Sequence, residues 1–129
     1  MKSDPLAPGP LILVVDDETM VRNYISYALE LEGYRVYQAC NGQEAMQVLT
    51  KYGNQINLLI TDMDMPVMDG YELIQAIKEQ NFGVKILTIS GRDSDRLKKL
   101  AEKNMPHLDK PFKPISLLEK VSKLLPLEN

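Results

Sequence analysis

Residues 11–16 read LILVVD, a continuous run of apolar side chains that stops at an acid. Two further runs have the same character: NLLIT at residues 57–61, followed directly by Asp62, and VKILTI at residues 84–89. Runs without alternation of polar and apolar residues are typical of strands buried on both faces, as in a parallel sheet. The three stretches therefore predict a parallel sheet covered by helices on both sides.

Amphipathic helical patterns alternate with these strands. In the first helix apolar residues recur at steps of three and four, at Val21, Tyr24, Ile25, Ala28 and Leu29. Gly33 ends the pattern as a C-terminal glycine does. RVYQAC at residues 35–40 mixes polar and apolar residues, which favours a strand nearer an edge of the sheet. A short fifth strand is predicted near residues 106–109.

Two pairs of residues have the spacing of a helix-capping box, in which each side chain accepts from the other residue's backbone N–H. Asn41 with Glu44 marks the start of a second helix, and Asp69 with Glu72 marks the start of a third. These helices are predicted to run to about Tyr52 and about Gln80.

The last two helices are predicted from similar signals. Asp93 or Ser94 is expected to cap a fourth helix that runs to about Lys103. Pro114 suits the first turn of a fifth helix. The predicted buried face of that helix carries Ile115, Leu118, Val121 and Leu125.

Strand and helix thus alternate five times, which predicts parallel strands with right-handed crossovers. The fold class is α/β, a doubly wound five-stranded sheet in a three-layer sandwich. Periodicity leaves the order of the strands within the sheet open. Residues 1–10 hold three prolines and one glycine and are predicted to be a flexible leader, with one domain at residues 11–127.

Composition narrows the function classes. The chain has 129 residues, of which 44% are hydrophobic and 26% charged, with a net charge of -3. This argues against sequence-independent binding of nucleic acid, which needs clustered positive charge. The single cysteine, Cys40, excludes an internal disulfide, and no apolar run approaches the ~20 residues of a spanning helix. We therefore predict a cytoplasmic protein without membrane insertion.

Polar side chains stand at the predicted ends of four strands. Asp16 and Asp17 follow the first strand, Asp62 the third, Ser90 the fourth and Lys110 the fifth. Ligands of open parallel sheets bind beyond these ends, so we expect the side chains to converge. Clustered carboxylates repel one another, and a divalent cation such as Mg²⁺ offsets that repulsion. A carboxylate is also a nucleophile toward phosphorus, in a reaction that needs positioning and charge neutralisation.

Taken in order, these residues resemble the response-regulator receiver family of two-component signalling. The matching segments are VVDDE at residues 14–18, ITDMDMPVMDG at 60–70, TISG at 88–91 and DKPF at 109–112. With the five-fold alternation, the resemblance covers about Leu11 to Leu125. It implies the flavodoxin-like strand order 2-1-3-4-5, and acceptance of a phosphoryl group from a histidine kinase or a histidine phosphotransfer protein.

The resemblance also implies a role for each matching residue. Asp62 is the phosphoacceptor and Lys110 pairs with the phosphoryl group. Asp17 binds Mg²⁺ directly, together with Asp62, and Asp16 shapes the metal site, often through water. The backbone carbonyl of Asp64 supplies another metal ligand, and Mn²⁺ is the alternative cation.

The resemblance further implies that two residues change position when the protein is phosphorylated. Ser90 donates its hydroxyl to the phosphoryl group in the active state, and position 107 carries the switch side chain. The Lys110–Pro111 bond is expected to be cis, as is common in the family. Asp69 and Gly70 are expected to shape the loop and to start the next helix.

The sequence departs from the commonest family pattern at the switch position. The family usually has tyrosine or phenylalanine three residues before the lysine, whereas this chain has His107, its only histidine. Asp64, two residues after the phosphoacceptor, adds a negative charge that we expect to alter hydrolysis of the phosphorylated state. Arg92, two residues after Ser90, is a second candidate for tuning that rate.

Three functions are compared. The favoured function is a signalling module that catalyses only its own phosphorylation and dephosphorylation, with a downstream partner or output domain on the helix 4–strand 5–helix 5 face. The alternatives are a non-phosphorylated pseudo-receiver scaffold and a phosphatase of the DxD type, after the string DMDMP. The acid–hydroxyl–lysine set argues against the scaffold, and the position of the motif after the third strand argues against the phosphatase. The sequence fits a stand-alone receiver or a domain of a longer protein equally well.

Overall fold

A computed structural model of the chain describes residues 9–91, 94–98 and 105–127. Strands and helices alternate along these residues. The strands are β1 (Leu11–Val15), β2 (Arg35–Ala39), β3 (Ile56–Asp62), β4 (Lys85–Ser90) and β5 (His107–Asp109). The helices are α1 (Thr19–Leu31), α2 (Gly42–Tyr52), α3 (Gly70–Glu79), α4 (Asp95–Lys98) and α5 (Pro114–Leu124), with a short 3-10 turn at Gly53–Gln55.

The strands form one parallel sheet in the order β2-β1-β3-β4-β5. This confirms the predicted doubly wound fold and the strand order implied by the family resemblance. β2 lies at one edge, and three of its five side chains are exposed, as its mixed composition predicts. β1 and β3 lie next to each other inside the sheet, where Val15 pairs with Thr61. Their C-terminal ends are therefore adjacent.

The continuous apolar runs are explained by two hydrophobic cores, one on each face of the sheet. Along β1, Ile12 and Val14 pack into the core beneath α1 and α5, whereas Leu13 and Val15 pack into the core beneath α2 and α3. Each of these side chains is almost completely buried. Burial on both faces holds the strand ends in place, because any shift would disturb close-packed side chains on either side.

One of the two predicted capping boxes is complete. At α3 the Asp69 carboxylate accepts from the backbone N–H of Glu72 at 2.9 Å, and the Glu72 carboxylate accepts from the N–H of Asp69 at 3.0 Å. At α2 the Asn41 side chain accepts from the N–H of Glu44 at 2.8 Å. The Glu44 carboxylate, however, accepts from the N–H of Cys40, one residue before the cap, at 2.9 Å.

The buried face of α5 differs from the prediction at one position. Leu117 and Val121 are fully buried, and Leu118 and Leu125 pack against the same core. Ile115 was predicted to be on this face, but it is 65% exposed. Successive helical residues are rotated by about 100°, so a residue two positions before Leu117 lies on the far side of the helix.

Some predictions fall outside the described residues. These include most of the leader, at residues 1–8, and also Asp93 and the predicted end of α4 near Lys103. Ser94 lies where the other proposed cap was expected, directly before α4, and its carbonyl accepts from the N–H of Lys98 at 3.3 Å. Within the residues that are described, none of the helices combines the length and apolar character needed to span a bilayer.

Two glycines meet different backbone requirements. Gly33 has a φ of 101° just after α1, which confirms the predicted helix stop at a conformation that favours glycine. Gly70 begins α3 pressed against the end of β3. A Cβ at Gly70 would lie 2.5 Å from the carbonyl oxygen of Asp62 and 2.7 Å from the Cα of Met63. The absent side chain thus lets α3 approach the strand that carries the candidate acceptor.

Replacing Gly70 with alanine is expected to destabilise the fold by about 1–3 kcal/mol, because the added methyl group clashes with backbone atoms that cannot turn aside. Urea unfolding followed by circular dichroism measures this change. Gly83→Ala is the matched control, since a Cβ there meets nothing within 4 Å. Equal stability of the two variants would show that close packing at Gly70 is unimportant.

Candidate functional site

The C-terminal ends of β1, β3, β4 and β5 bring the predicted polar residues together at one edge of the sheet. Asp62 is the last residue of β3, and Ser90 is the last residue of β4. Ser90 pairs in register with Asp109, so Lys110 follows directly at the end of β5. Asp16 follows β1, whose end is paired with the end of β3.

Asp62 is buried, with 4% of its surface exposed, and its carboxylate has two close partners. The Nζ of Lys110 lies 3.3 Å from Oδ2. The backbone N–H of Asp64 donates to Oδ1 at 3.3 Å. The lysine also donates to Oδ2 of Asp16 at 2.9 Å, so one ammonium group bridges two carboxylates from different strands.

Asp16 is the most buried acid of the site, with 1% of its surface exposed. Besides Lys110, it binds the backbone N–H of Glu18 through Oδ1 at 2.9 Å. Its main-chain carbonyl accepts from the guanidinium of Arg22 at 2.6 Å. Arg22 was not identified by the sequence reasoning, because a basic residue in the first turns of a helix carries no signal of its own.

Three carboxylates form a cluster that could hold a cation. Asp16, Asp17 and Asp62 each offer an oxygen, and these oxygens lie within 4.8 Å of one another. Asp17 is exposed, whereas the other two are buried, so the cluster opens to solvent on one side. An all-oxygen donor set with room for water suits a hard divalent cation such as Mg²⁺. The residues present therefore fit the ion that the family resemblance implies.

The pKa values of the site reflect burial opposed by charge pairing. Burial raises the pKa of the Asp62 carboxyl to about 6; the nearby Lys110 charge lowers it and the Asp16 charge raises it further. Burial alone would lower the pKa of the Lys110 ammonium. The hydrogen bond to Asp16 and the charges of both acids outweigh burial, so the pKa of Lys110 is raised. The site thus holds a lysine that stays charged beside a carboxylate that is costly to ionise.

The switch candidates Ser90 and His107 lie next to each other. Ser90 is fully buried, and its Oγ is 3.4 Å from Nε2 of His107. The same nitrogen lies 2.9 Å from Oδ1 of Asp109, while Nδ1 lies 2.8 Å from the hydroxyl of Thr88. Thr88 and Asp109 lie in the matching segments TISG and DKPF, but the sequence analysis gave neither residue a role. Strand alternation would have placed Thr88 and Ser90 on the same face of β4.

The structure describes only one of the two residues that are predicted to tune the rate of phosphoryl loss. Asp64 is exposed, and its Oδ1 accepts from the hydroxyl of Ser94 at 2.9 Å. Arg92 lies outside the described residues. The Lys110–Pro111 bond is cis, as the family resemblance implies.

The arrangement has the parts needed for transfer of a phosphoryl group to a carboxylate. Asp62 presents a carboxylate oxygen, and Lys110 supplies a fixed positive charge next to it. The acid cluster is suited to a cation that would neutralise phosphoryl charge. The predicted convergence of Asp16, Asp17, Asp62 and Lys110 is found, while the chemical role of each residue stays a prediction.

The comparisons with known proteins agree on one protein family. The chain matches the model of the response regulator receiver domain over residues 12–122. It is 34% identical over 121 residues to sporulation initiation phosphotransferase F of Bacillus subtilis, covering 92% of this chain and 95% of that protein. It is 36% identical over 118 residues to the aerobic respiration control protein ArcA of Escherichia coli, covering 90% of this chain. The chain spans 48% of the length of ArcA.

A solved structure has the same fold. Chemotaxis protein CheY4 of Vibrio cholerae superposes with a TM-score of 0.80 at 31% sequence identity. The match covers 91% of this chain and 99% of that protein.

The raised pKa of Asp62 predicts a fall in stability as the pH rises from about 4 to about 6. Between its ordinary value of 3.8 and its folded value of about 6, the folded state binds a proton that the unfolded state has lost. The stabilising effect of that proton is complete below pH 4 and is lost above pH 6. Asp62→Asn should remove the fall, so its stability relative to wild type should rise by on the order of 2 kcal/mol across this range.

The measurement is urea unfolding at pH 4 to 7.5 in the presence of EDTA. Glu119→Gln, which alters an exposed carboxylate on α5, is the control and should follow the wild-type curve. If the free energies of unfolding of wild type and Asp62→Asn changed with pH in parallel, the raised pKa of Asp62 would be contradicted.

Proposed function

Because the chain belongs to the response regulator receiver domain family, we propose that it accepts a phosphoryl group on Asp62 and changes conformation in response. Members of this family are signalling proteins of two-component systems rather than classical enzymes. The observation that carries the proposal is the buried Asp62 carboxylate, 3.3 Å from the Lys110 ammonium and within the cluster of Asp16 and Asp17.

In the proposed reaction, a carboxylate oxygen of Asp62 attacks the phosphorus of a phosphohistidine on the donor protein. The new O–P bond gives an acyl phosphate, and the P–N bond breaks with its electron pair on the imidazole nitrogen, which takes up a proton. Lys110 is in position to offset charge on the phosphoryl oxygens, because its Nζ already lies between Asp62 and Asp16.

Mg²⁺, with Mn²⁺ as the alternative, would be held by Asp17 and Asp62, by Asp16 often through water, and by the backbone carbonyl of Asp64. When bound, the cation supplies neutralisation of phosphoryl charge. The chain's own part is to keep the acids close together despite their mutual repulsion. The packing of β1 against β3 and the bridging Lys110 support this part of the proposal.

Phosphorylation is proposed to act through Ser90 and His107. The Ser90 hydroxyl would turn to a phosphoryl oxygen, and the imidazole 3.4 Å away would adjust its position. Such a change is a shift between two packings, biased by the added charge. The partner surface proposed for the output is the face formed by α4, β5 and α5.

The phosphoryl donor is proposed to be a sensor histidine kinase or a histidine phosphotransfer protein. Relatives of different architecture support this class of partner. The chain is similar along 96% of its length to a sensor kinase, CckA of Brucella abortus, but covers only 13% of that protein, with 29% identity. An output domain on the same polypeptide and a separate downstream protein are both compatible with such relatives.

Incubation with Mg²⁺ and a small phosphodonor such as acetyl phosphate is expected to add the mass of one phosphoryl group to the wild-type chain. Asp62→Ala should gain none, because the nucleophilic oxygen is lost. Intact-mass spectrometry reads both samples, and Glu119→Ala, which removes an exposed carboxylate on α5, serves as the control. A folded wild-type chain that gains no phosphoryl group would favour a pseudo-receiver scaffold. Hydrolysis of an added phosphomonoester would favour a phosphatase.

We further propose that the charge of Asp64 sets the lifetime of the phosphorylated state. Asp64→Asn removes that charge two residues after the acceptor, which should change the rate of phosphoryl loss by about two- to fivefold. Timed loss of the added mass after removal of the phosphodonor measures the rate. An unchanged lifetime would refute this role.

A further inference from the structure

The imidazole of His107 lies between hydrogen-bond partners of different kinds. Its Nε2 is 2.9 Å from Oδ1 of Asp109 and 3.4 Å from Oγ of Ser90. Its Nδ1 is 2.8 Å from the hydroxyl of Thr88, and that hydroxyl also lies 3.1 Å from the carbonyl oxygen of Pro106. A hydroxyl donates and accepts, whereas an ionised carboxylate only accepts. The positions of the hydrogens therefore depend on which of these groups can donate.

The Asp109 carboxylate decides which ring nitrogen carries a hydrogen. An ionised carboxylate has no hydrogen to give, so the 2.9 Å contact requires an N–H at Nε2 of His107. The hydroxyl of Thr88 then donates to the lone pair of Nδ1. The carboxylate contact is the shorter of the two at Nε2 and has a charged acceptor, so it outweighs the 3.4 Å contact with Ser90.

The opposite tautomer would give a different set of hydrogen bonds. With its hydrogen on Nδ1, the ring of His107 donates to the Thr88 hydroxyl, which donates in turn to the carbonyl of Pro106. Nε2 then presents a lone pair, to which the hydroxyl of Ser90 can donate. The same lone pair faces the Asp109 carboxylate, which is repulsive. In this arrangement the ring takes up the hydroxyl hydrogen of Ser90.

We propose that Asp109 is a positioning residue that holds His107 in the Nε2–H tautomer and so keeps the hydroxyl hydrogen of Ser90 available to a phosphoryl oxygen. The inference rests on the proposed function, in which Ser90 donates to the phosphoryl group on Asp62. Ser90 is fully buried at the end of β4, and the residue before it pairs with Asp62 of β3. A buried hydroxyl that donates to the ring would have to give up that bond before it could donate to a phosphoryl oxygen.

The tautomer of His107 can be measured directly, because the chain contains no other histidine. Long-range proton–nitrogen correlation spectra of the full chain, recorded with EDTA and without a phosphodonor, show which ring nitrogens carry a hydrogen. In wild type, Nε2 should carry one, whether or not Nδ1 carries one as well. In Asp109→Asn the amide donates as well as accepts, so the share of rings with a hydrogen only on Nδ1 should rise about threefold or more.

Glu119→Gln is the matched control, because it removes an exposed carboxylate on α5 by the same kind of substitution and should leave the ring spectrum unchanged. The second measurement is the rate of phosphoryl gain from acetyl phosphate with Mg²⁺. Asp109→Asn should lower this rate, relative to its effect in a Ser90→Ala background, by about twofold or more. The two backgrounds differ because the hydroxyl through which Asp109 acts is absent from the second.

The proposal is overturned by a wild-type ring that carries a hydrogen only on Nδ1, a result that needs no variant to fold. It is also overturned if folded Asp109→Asn keeps the wild-type ring spectrum, if Glu119→Gln alters that spectrum equally, or if the rate changes equally in both backgrounds. The spectra are independent of the labelling of Asp62. If the chain gained no phosphoryl group, the proposed acceptor would be refuted, whereas control of the His107 tautomer by Asp109 would still stand or fall on the spectra.

Discussion

The burial of two carboxylates beside one ammonium group is the constraint on which the site depends. Asp16 and Asp62 are almost entirely removed from water, and Lys110 bridges them. Burial disfavours the charged form of Asp62 more than the neighbouring Lys110 charge favours it, and the Asp16 charge adds to the effect of burial, so the pKa of Asp62 remains raised. The folded protein therefore carries an electrostatic cost at this edge of the sheet, which a bound cation would reduce. Unfavourable electrostatic energy that is confined to one cluster of residues and reduced by a bound ligand is characteristic of functional sites.

The sheet supports this cost because its strands are fixed by hydrophobic cores on both faces. β1 and β3 each contribute more buried residues to those cores than any other strand or helix, and the acids stand at their ends. Repelling side chains stay together because separating them would disturb close-packed residues below. Gly70 contributes at the same place by letting α3 pack directly against the end of β3. Stability of the core and chemistry at the edge are thus properties of the same strands.

The ends of β4 and β5 and the loops beside them hold further polar side chains in defined positions. His107 lies between Thr88, Ser90 and Asp109, so a movement of the Ser90 hydroxyl would change a shared set of hydrogen bonds. Ser94 and Asp64 form a second link, between the loop after β3 and the start of α4. Both links connect the acceptor region to elements of the proposed partner surface, which gives a physical route by which added charge at Asp62 would be felt there.

The sequence by itself determined the strand–helix alternation, since periodicity reports which faces are buried. It also identified the strand-end residues Asp16, Asp17, Asp62, Ser90 and Lys110, whose convergence follows from a parallel sheet. It could not identify the contacts of Arg22 and Ser94, and it misjudged Ile115, because these depend on where a helix lies and how it is rotated against the sheet. The three-way hydrogen bonding of His107 and the direction of the Asp64 carboxylate were likewise decided only by the tertiary structure. Pattern encodes burial along one element, whereas a side chain's partner is set by the packing of several elements together.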